Sequence, residues 1–437
     1  MKGLRLLGLV TLFGGLLACG SRPHSSASAE GVPVIDVEAA MKDLQPALKL
    51  SDFGMDVHYI PLETNDSCLV SGGSGVALAD TCLVVSSHYG LSPKIYSFER
   101  KTGHFIAEVG HRGEDPEGYT SALHFYNEEN GLFYFVRQPD KLQKYDSHGR
   151  YRGYALVPVQ PELPVSFVFV DSLVVGYHGT RSVKAAFGDR LFSIFTEDGI
   201  LIDTIPQVSL GPMYDGEEIK ASSIFSLFGF DLRCMIYKDD KVGLSLSGPS
   251  SLWKCGENVR LKDGLNDTVY TWQSGKGVRP TFVFKYGQWQ LTEESWQRGD
   301  SRSKLLVIGL CETVSKLYFL VLSEPFETLR ESTKALFSQG GKAFQSYYGK
   351  IYHGIYDKQT GVTRMAPFSA KIQDDLIDFL PIKMDNNSQK EFVGLIEAND
   401  VVAWLKKHPE AKDNPKLAPL LKVQEEDNPV VVIVSDK

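Results

Sequence analysis

KYDSHGRYRG, residues 144–153, is the stretch that decides the fold. Tyr145 ends an extended run, Asp146-Ser147-His148 make a polar turn, Gly149 closes it, and Tyr151 begins the return. Glycine suits the positive φ of a tight hairpin, and Asp or Ser side chains bond the turn's own amides. The same plan recurs in SFERKTGHFI (97–106), IFTEDGILID (194–203) and IYDKQTGVTR (355–364), with NDTVYTWQSGK (266–276) as a degenerate copy. Gly103, Gly149 and Gly199 lie 46 and 50 residues apart. A propeller of four-stranded blades produces that spacing.

Short β-type runs fill the intervals: Leu83-Val84-Val85, Phe105-Ile106-Ala107-Glu108-Val109, Ser166-Phe167-Val168-Phe169-Val170 and Leu305-Leu306-Val307-Ile308 among them. Turn residues separate them, and no long helical period intervenes. The resulting class is all-β, a six-bladed β-propeller over residues 33–437 with a short helical segment near the C-terminus: roughly 390 residues divide into six units of about 45–80. Asn399-Asp400 can cap a helix over 401–407 that Pro409 stops, and residues 415–421 suggest another turn. Val430 to Val434 then forms a terminal strand. Terminal strands in propellers complete a blade shared with the N-terminus, and Val34-Ile35-Asp36-Val37 is the expected contributor.

The first 18 residues read as a lipoprotein signal peptide. Lys2 and Arg5 precede an apolar run from Leu6 to Leu17, too short to span a bilayer comfortably, and small Ala18 sits directly before Cys19. That order resembles a bacterial lipobox, with Cys19 the acylated residue and the membrane a partner through its lipid. A plain cleaved signal or short anchor is the alternative. Residues 19–32 are Ser- and Ala-rich and read as a flexible tether. Gly20, in place of a retention aspartate, points to the outer membrane, and the lack of an acidic cluster favours its periplasmic face.

A formal charge of −8 over 437 residues, with both signs interspersed, argues against nucleic acid as a partner. An apolar fraction of 43% and 40 glycines suit a large, turn-rich β core. Beyond Cys19 stand Cys68, Cys82, Cys234, Cys255 and Cys311, an odd number. A Cys68–Cys82 disulfide is open to neighbouring strands in an oxidising envelope; the rival reading makes all five small buried hydrophobes. No CxxC or Cys/His spacing supports zinc.

Four blocks carry a family likeness: LSDFGMDVHYIPLET (50–64), KIYSFERKTGHFIAEVGHRGEDPEGY (94–119), LNDTVY (265–270) with PTFVFKYGQW (280–289), and EEDNPVVVIV (425–434). In this order they resemble the six-bladed β-propeller lipoproteins of Gram-negative gut bacteria, a family of unknown function related to NHL-repeat propellers. The resemblance implies the fold along nearly the whole mature chain and supplies no catalytic residues.

Within it, GHRGEDPEGY (110–119) resembles a glycine-rich segment that usually reads G-x-x-G-x-G-P-G-E-[YF]. Gly110, Gly113, Pro116 and Tyr119 are kept, Asp115 stands where glycine is usual, and Glu117-Gly118 reverses the common order. The segment lacks GxxxxGK[ST], the spacing of a calcium loop, and carboxylates held apart as a glycosidase needs. It reads as a blade-to-blade connection in which Tyr119 wedges between blades, with Asp115 and Glu117 as candidate ligand contacts at the propeller mouth. Trp272, Trp289 and Trp296, beside Gln and Arg, either stack on a sugar or wedge between blades.

No GxSxG, HExxH or GxGxxG follows a strand, and no motif calls for a cofactor or a metal. The expected function is therefore a tethered, non-catalytic binding or interaction module with an unknown protein or glycan partner. Two rivals stand beside it: a carbohydrate-binding accessory to glycan uptake, and a lyase- or lactonase-type enzyme with its site on the central channel.

Overall fold

The computed structural model describes residues 31–71, 74–87, 93–158, 163–179, 190–206, 219–227, 230–238, 242–247, 251–263, 266–328, 331, 350–377 and 390–435. Six antiparallel sheets form the blades of a β-propeller. Blade 1 is Gly75–Leu78, Cys82–Ser87, Lys94–Glu99 and Phe105–Glu108. Blade 2 is His124–Asn127, Leu132–Arg137, Lys141–Tyr145 and Tyr151–Leu156. Blade 3 is Ser166–Val170, Leu173–Tyr177, Arg190–Thr196 and Leu201–Pro206. Blade 4 is Leu252–Cys255, Asn258–Leu261, Thr268–Gln273 and Gly277–Lys285. Blade 5 is Leu305–Glu312, Lys316–Ser323, Ile351–Asp357 and Thr363–Pro367. Blade 6 joins Glu391–Ile396 and Val430–Ser435 to Asp56–Pro61.

The ring order follows from the first strands, which lie innermost. That of blade 3 touches those of blades 2 and 4, and that of blade 6 touches that of blade 1. Strands Ile219–Leu227, Phe230–Tyr237 and Val242–Ser247 make a separate three-stranded sheet between blades 3 and 4 in the sequence. This insertion explains why the hairpin period lengthens after Gly199.

Alternation along each second strand holds the ring together. Successive side chains on a strand point to opposite faces. In Leu132–Arg137, Phe133 and Phe135 enter the core shared with blade 1, while Tyr134 and Val136 enter that shared with blade 3. In Lys316–Ser323, Leu317, Phe319 and Val321 face blade 4; Tyr318, Leu320 and Leu322 face blade 6. Six core clusters result, one at each blade-to-blade interface. These strands therefore read as continuous apolar runs: both faces are buried, as in sheets covered on both sides.

The quoted hairpins form the outer pair of strands in blades 1 to 5. Gly103, Gly149, Gly199, Gly275 and Gly361 have φ between 71° and 79°. At Gly149 a second constraint applies: a Cβ there would sit 2.3 Å from the carbonyl oxygen of Glu108, in the outermost strand of blade 1. Gly103 presses likewise on Pro61 of blade 6. The tip of an outer hairpin thus docks on the preceding blade, and glycine is needed for contact as well as for φ.

Ring closure differs from the expected pairing. Val34–Asp36 runs parallel to Gly277–Lys285 and adds a fifth strand to blade 4. The strand that completes blade 6 is Asp56–Pro61, antiparallel to Val430–Ser435 with Val432 opposite Tyr59. Both its faces are used: Val57 and Tyr59 face the blade 5–6 core and Ile60 the blade 6–1 core. Residues between the two strands strap the outside of the ring through a helix, Val37–Lys42, that contacts the last strand of blade 5.

The C-terminal helix is Ala398–Lys407, followed by 3-10 turns Pro409–Asp413 and Pro415–Lys422, and together they cap the blade 5–6 core with Val401, Leu417 and Leu420. The helix N-cap is Glu397 rather than Asn399-Asp400. A short helix at Glu293–Arg298 was not foreseen either.

The disulfide expectation is corrected. Cys68 and Cys82 are both free and buried, Cys68 in the blade 6–1 core and Cys82 in the blade 1–2 core. The sheet of blade 1 lies between these cores. Burial pushes the Cys82 thiol up to about 12. Cys255 and Cys311 are buried too, whereas Cys19 and the Cys234 side chain lie outside the described residues.

Candidate functional site

GHRGEDPEGY connects the outer strand of blade 1 to the inner strand of blade 2, and its backbone wraps around side chains of blade 2. The Arg137 guanidinium donates to the carbonyl oxygens of Glu114 at 3.1 Å, Asp115 at 2.6 Å, Gly113 at 3.5 Å and Gly118. Gln143 donates to Pro116 at 2.8 Å and to Gly118 at 3.3 Å, and the Tyr145 hydroxyl donates to Glu117. Six consecutive carbonyls are thus taken by three side chains. Tyr119 is buried, stacked on Phe135 at 4.5 Å with an interplanar angle of 11° and edge-on to Tyr145. It fills the blade 1–2 core, as a wedge would.

The carboxylates that suggested chemistry have separate fates. Asp115 accepts backbone N–H groups from Glu117 and Gly118 at 3.1 and 3.0 Å and pairs with His111 at 2.7 Å. The His111 bond, outweighing partial desolvation, and those two amides hold its carboxyl below the ordinary value. Glu117 is exposed. Asp115 therefore shapes the turn while remaining exposed, and Glu114 and Glu117 also lie at the surface.

The tryptophans do not form one platform. Trp272 is buried in the blade 3–4 core, and Trp289 is half-buried against the blade 4–5 core. Trp296 sits on the helix Glu293–Arg298, its side chain outside the described residues.

A concentration of acids that sequence reasoning missed lies at one mouth of the ring, on the turns of the innermost hairpins. Asp80 stands on that turn in blade 1, Glu128 and Glu129 in blade 2, Asp171 in blade 3, Glu257 in blade 4. Glu129 caps the Asp171 backbone N–H at 3.0 Å and is 3.4 Å from Lys254 of blade 4. Burial raises the Glu128 carboxyl; Lys254 opposes this, while Asp80, Glu129 and Glu257 add to it. One sequence signal was available: an inner hairpin turn precedes each outer one, and EENG (128–131) and CGEN (255–258) carry their acids there. Among the described residues, no group of three or more His, Cys, Asp or Glu is arranged to hold a metal ion.

Two buried polar constellations remain. His178 Nε2 meets the Ser193 hydroxyl inside blade 3, both residues buried and so closed to a substrate in this conformation. Between blades 4 and 5, Glu312 binds Arg260, Lys358 and the Trp253 indole N–H at 2.6 Å. Its burial raises the carboxyl, but Lys358 and Arg260 outweigh that and leave it below the ordinary range. This pairing staples two blades.

The ring and its mouths define a six-bladed β-propeller. The chain belongs to the family described as a domain of unknown function, DUF4934, whose model matches residues 32–435. Its fold is similar to that of a Bacteroides fragilis protein, BF0058, named as exported: TM-score 0.58 and 16% identity, covering 92% of this chain and 100% of that one. A member of the DUF4221 family from Bacteroides vulgatus matches with TM-score 0.45 and 10% identity, over 88% of this chain and 97% of that one. A streptogramin B lyase matches at TM-score 0.33 and 11% identity, over 77% of this chain and 94% of that one. No curated protein matches.

Proposed function

We propose that this protein is a lipoprotein of the outer envelope whose propeller works as a non-catalytic binding or interaction module. The mature chain would be held through a lipid on Cys19, on the periplasmic face of the outer membrane, with a protein or glycan as its partner. The observation that carries the binding reading is the mouth formed by the innermost hairpins. Turns from four blades bring Asp80, Glu128, Glu129, Asp171 and Glu257 together on a rigid ring, where a partner can meet several of them at once. The acids favour a partner presenting cationic or hydroxyl groups. The similarity in fold to an exported protein supports the envelope address, and no helix among the described residues is long and apolar enough to cross a membrane.

The test is a screen of glycans and peptides against the purified protein, repeated with Glu128→Gln and Glu257→Gln together. A ligand whose affinity falls at least about tenfold in the double variant supports the mouth as the site, since about 1.4 kcal/mol corresponds to a factor of ten. A ligand bound equally well by both proteins sinks that placement. For the anchor, Cys19→Ala should move the protein from the membrane to the soluble fraction; a variant that stays with membranes refutes lipidation at Cys19.

A further inference from the structure

A cation stands among the acids of the mouth. Lys254, next to last in the inner strand of blade 4, reaches to within 3.4 Å of Glu129 Oε1 on the inner turn of blade 2. Blade 3 lies between those two blades, so the contact bridges the end of a whole blade. The Lys254 and Glu129 side chains are 16% and 36% exposed. Lys254 also bears on Glu128: burial raises that carboxyl, and Lys254 opposes the rise that Asp80, Glu129 and Glu257 reinforce.

Glu129 itself is fixed by other bonds. Asp171 and Ser172, the turn of the inner hairpin of blade 3, have φ of 50° and 63°. Two successive left-handed residues are the mark of the I′ hairpin turn, where glycine or asparagine is usual. Their N–H groups converge on Glu129, donating to Oε1 at 3.0 Å and to Oε2 at 3.4 Å, as successive turn amides do around an anion. The Glu129 N–H in turn donates to Asn127 Oδ1 at 3.0 Å. Blades 2 and 3 therefore hold this carboxylate in place without help from Lys254. The ion pair is a single long contact between groups that both reach water. Such pairs contribute little, so a competing cation can displace the lysine.

We infer that Lys254 is an autoinhibitory contact: its ammonium occupies, beside Glu129 and Glu128, the position that a primary ammonium of a binding partner takes when the mouth is filled. The inference rests on the mouth as the binding site proposed above, and it names the partner's chemistry there as a lysine-type side chain. The group that the acids already accept is an ammonium. Because Glu129 is fixed before any ligand arrives, exchanging one ammonium for another needs no rebuilding of the turn. Asp80 and Glu257 add negative charge around the same point. A neutral glycan would leave that charge uncompensated once Lys254 swings away.

Hexalysine is the probe, titrated calorimetrically into the purified protein at low ionic strength, where exposed ion pairs are least screened. Lys254→Met and Lys254→Gln both remove the internal cation, and having two neutral variants guards against one that fails to fold. Lys254→Arg keeps a cation in place, and Lys101→Met removes one from the outer hairpin of blade 1. Both neutral variants should bind hexalysine at least about tenfold more tightly than wild type, with Lys254→Arg and Lys101→Met within about twofold of it. Unchanged or weaker binding by the neutral variants overturns the inhibition; if that binding is still lost with Glu128→Gln and Glu257→Gln together, the mouth reading stands. An equal gain in Lys101→Met marks a general charge effect and overturns the inference too. Hexalysine bound by none of these proteins overturns the ammonium partner, while a ligand from the screen whose affinity depends on Glu128 and Glu257 leaves the mouth standing.

Discussion

Removing the Glu312 carboxylate should destabilise the ring more than most single substitutions, and the structure sets the scale. Glu312 has no exposed surface. It accepts from Arg260 Nε at 3.0 and 3.2 Å and Nη2 at 3.1 Å, from Trp253 at 2.6 Å and from Lys358 at 2.6 Å. Glu312→Ala leaves the buried Arg260 guanidinium without its counterion and strands an indole N–H. Breaking a buried pair from one side costs about 3–5 kcal/mol, which lowers the folded-to-unfolded ratio by roughly two to three and a half powers of ten at about 1.4 kcal/mol each. Lys358 limits the loss, because its side chain is 17% exposed and can turn to water. The assay is urea unfolding of wild type, Glu312→Ala, Arg260→Met, and a Glu312→Leu/Arg260→Met double variant. The double variant should cost clearly less than the sum of the singles, because residues in one network do not act additively. A Glu312→Ala cost under about 1 kcal/mol would refute the reasoning, as would strict additivity. The pH dependence has a definite sign. A carboxyl depressed in the folded state contributes stability that is present above its ordinary pKa, about 4.3 for glutamate, and lost as pH falls below it.

Other perturbations probe separate parts of the molecule. Gly149→Ala should destabilise more than Gly361→Ala: both positions have φ above 70°, but only at Gly149 would the new Cβ collide with a carbonyl. The strain alone is about 1–2 kcal/mol, so equal losses by thermal denaturation would remove the docking argument. Arg137→Ala should open the 110–119 connector to limited proteolysis and cost about 1–3 kcal/mol, through loss of its bonds to the Glu114 and Asp115 carbonyls, since Gln143 still reaches Gly118; unchanged cleavage would show that the guanidinium is not what holds the loop. His353 is buried, stacked on Phe368 at 4.5 Å and bonded to the Tyr318 hydroxyl at 2.8 Å. Burial lowers it from 6.5 to about 4, so the unfolded chain binds a proton first and stability falls between those pH values, by about 3 kcal/mol. His353→Gln should flatten that part of the pH–stability curve; an unchanged curve assigns the titration elsewhere.

The acidic mouth shows why the site was harder to read than the fold. Hairpin turns are local: Asp146, Ser147 and Gly149 close theirs with bonds among neighbours, such as Asp146 to the His148 and Arg150 amides. A repeated local signal survives in the sequence. Glu128 and Glu257, by contrast, are 129 residues apart in the chain and become neighbours only when four blades close around an axis. GHRGEDPEGY is the converse case: its role as a blade-to-blade connection with Tyr119 as wedge was legible, but what holds its backbone was not, because Arg137, Gln143 and Tyr145, which occupy its carbonyls, lie on the next blade.

From the sequence alone came the all-β class, the repeating outer hairpin and its glycines, the number of blades, and a C-terminal strand that closes the ring. The class, the hairpins and the terminal strand rest on turn chemistry and short apolar runs, which act over a few residues, and the number of blades on the length of chain divided by the repeat. Tertiary structure decided which N-terminal segment completes blade 6. Val34–Asp36 and Asp56–Pro61 are both short apolar strands, and only the second has its two faces matched by neighbouring cores. It likewise decided that Cys68 and Cys82 stand apart across the sheet of blade 1, and that the conspicuous loop is spent on holding its own shape. Pairing partners, burial and charge neighbourhoods are properties of the closed ring. No stretch of this chain carries them by itself.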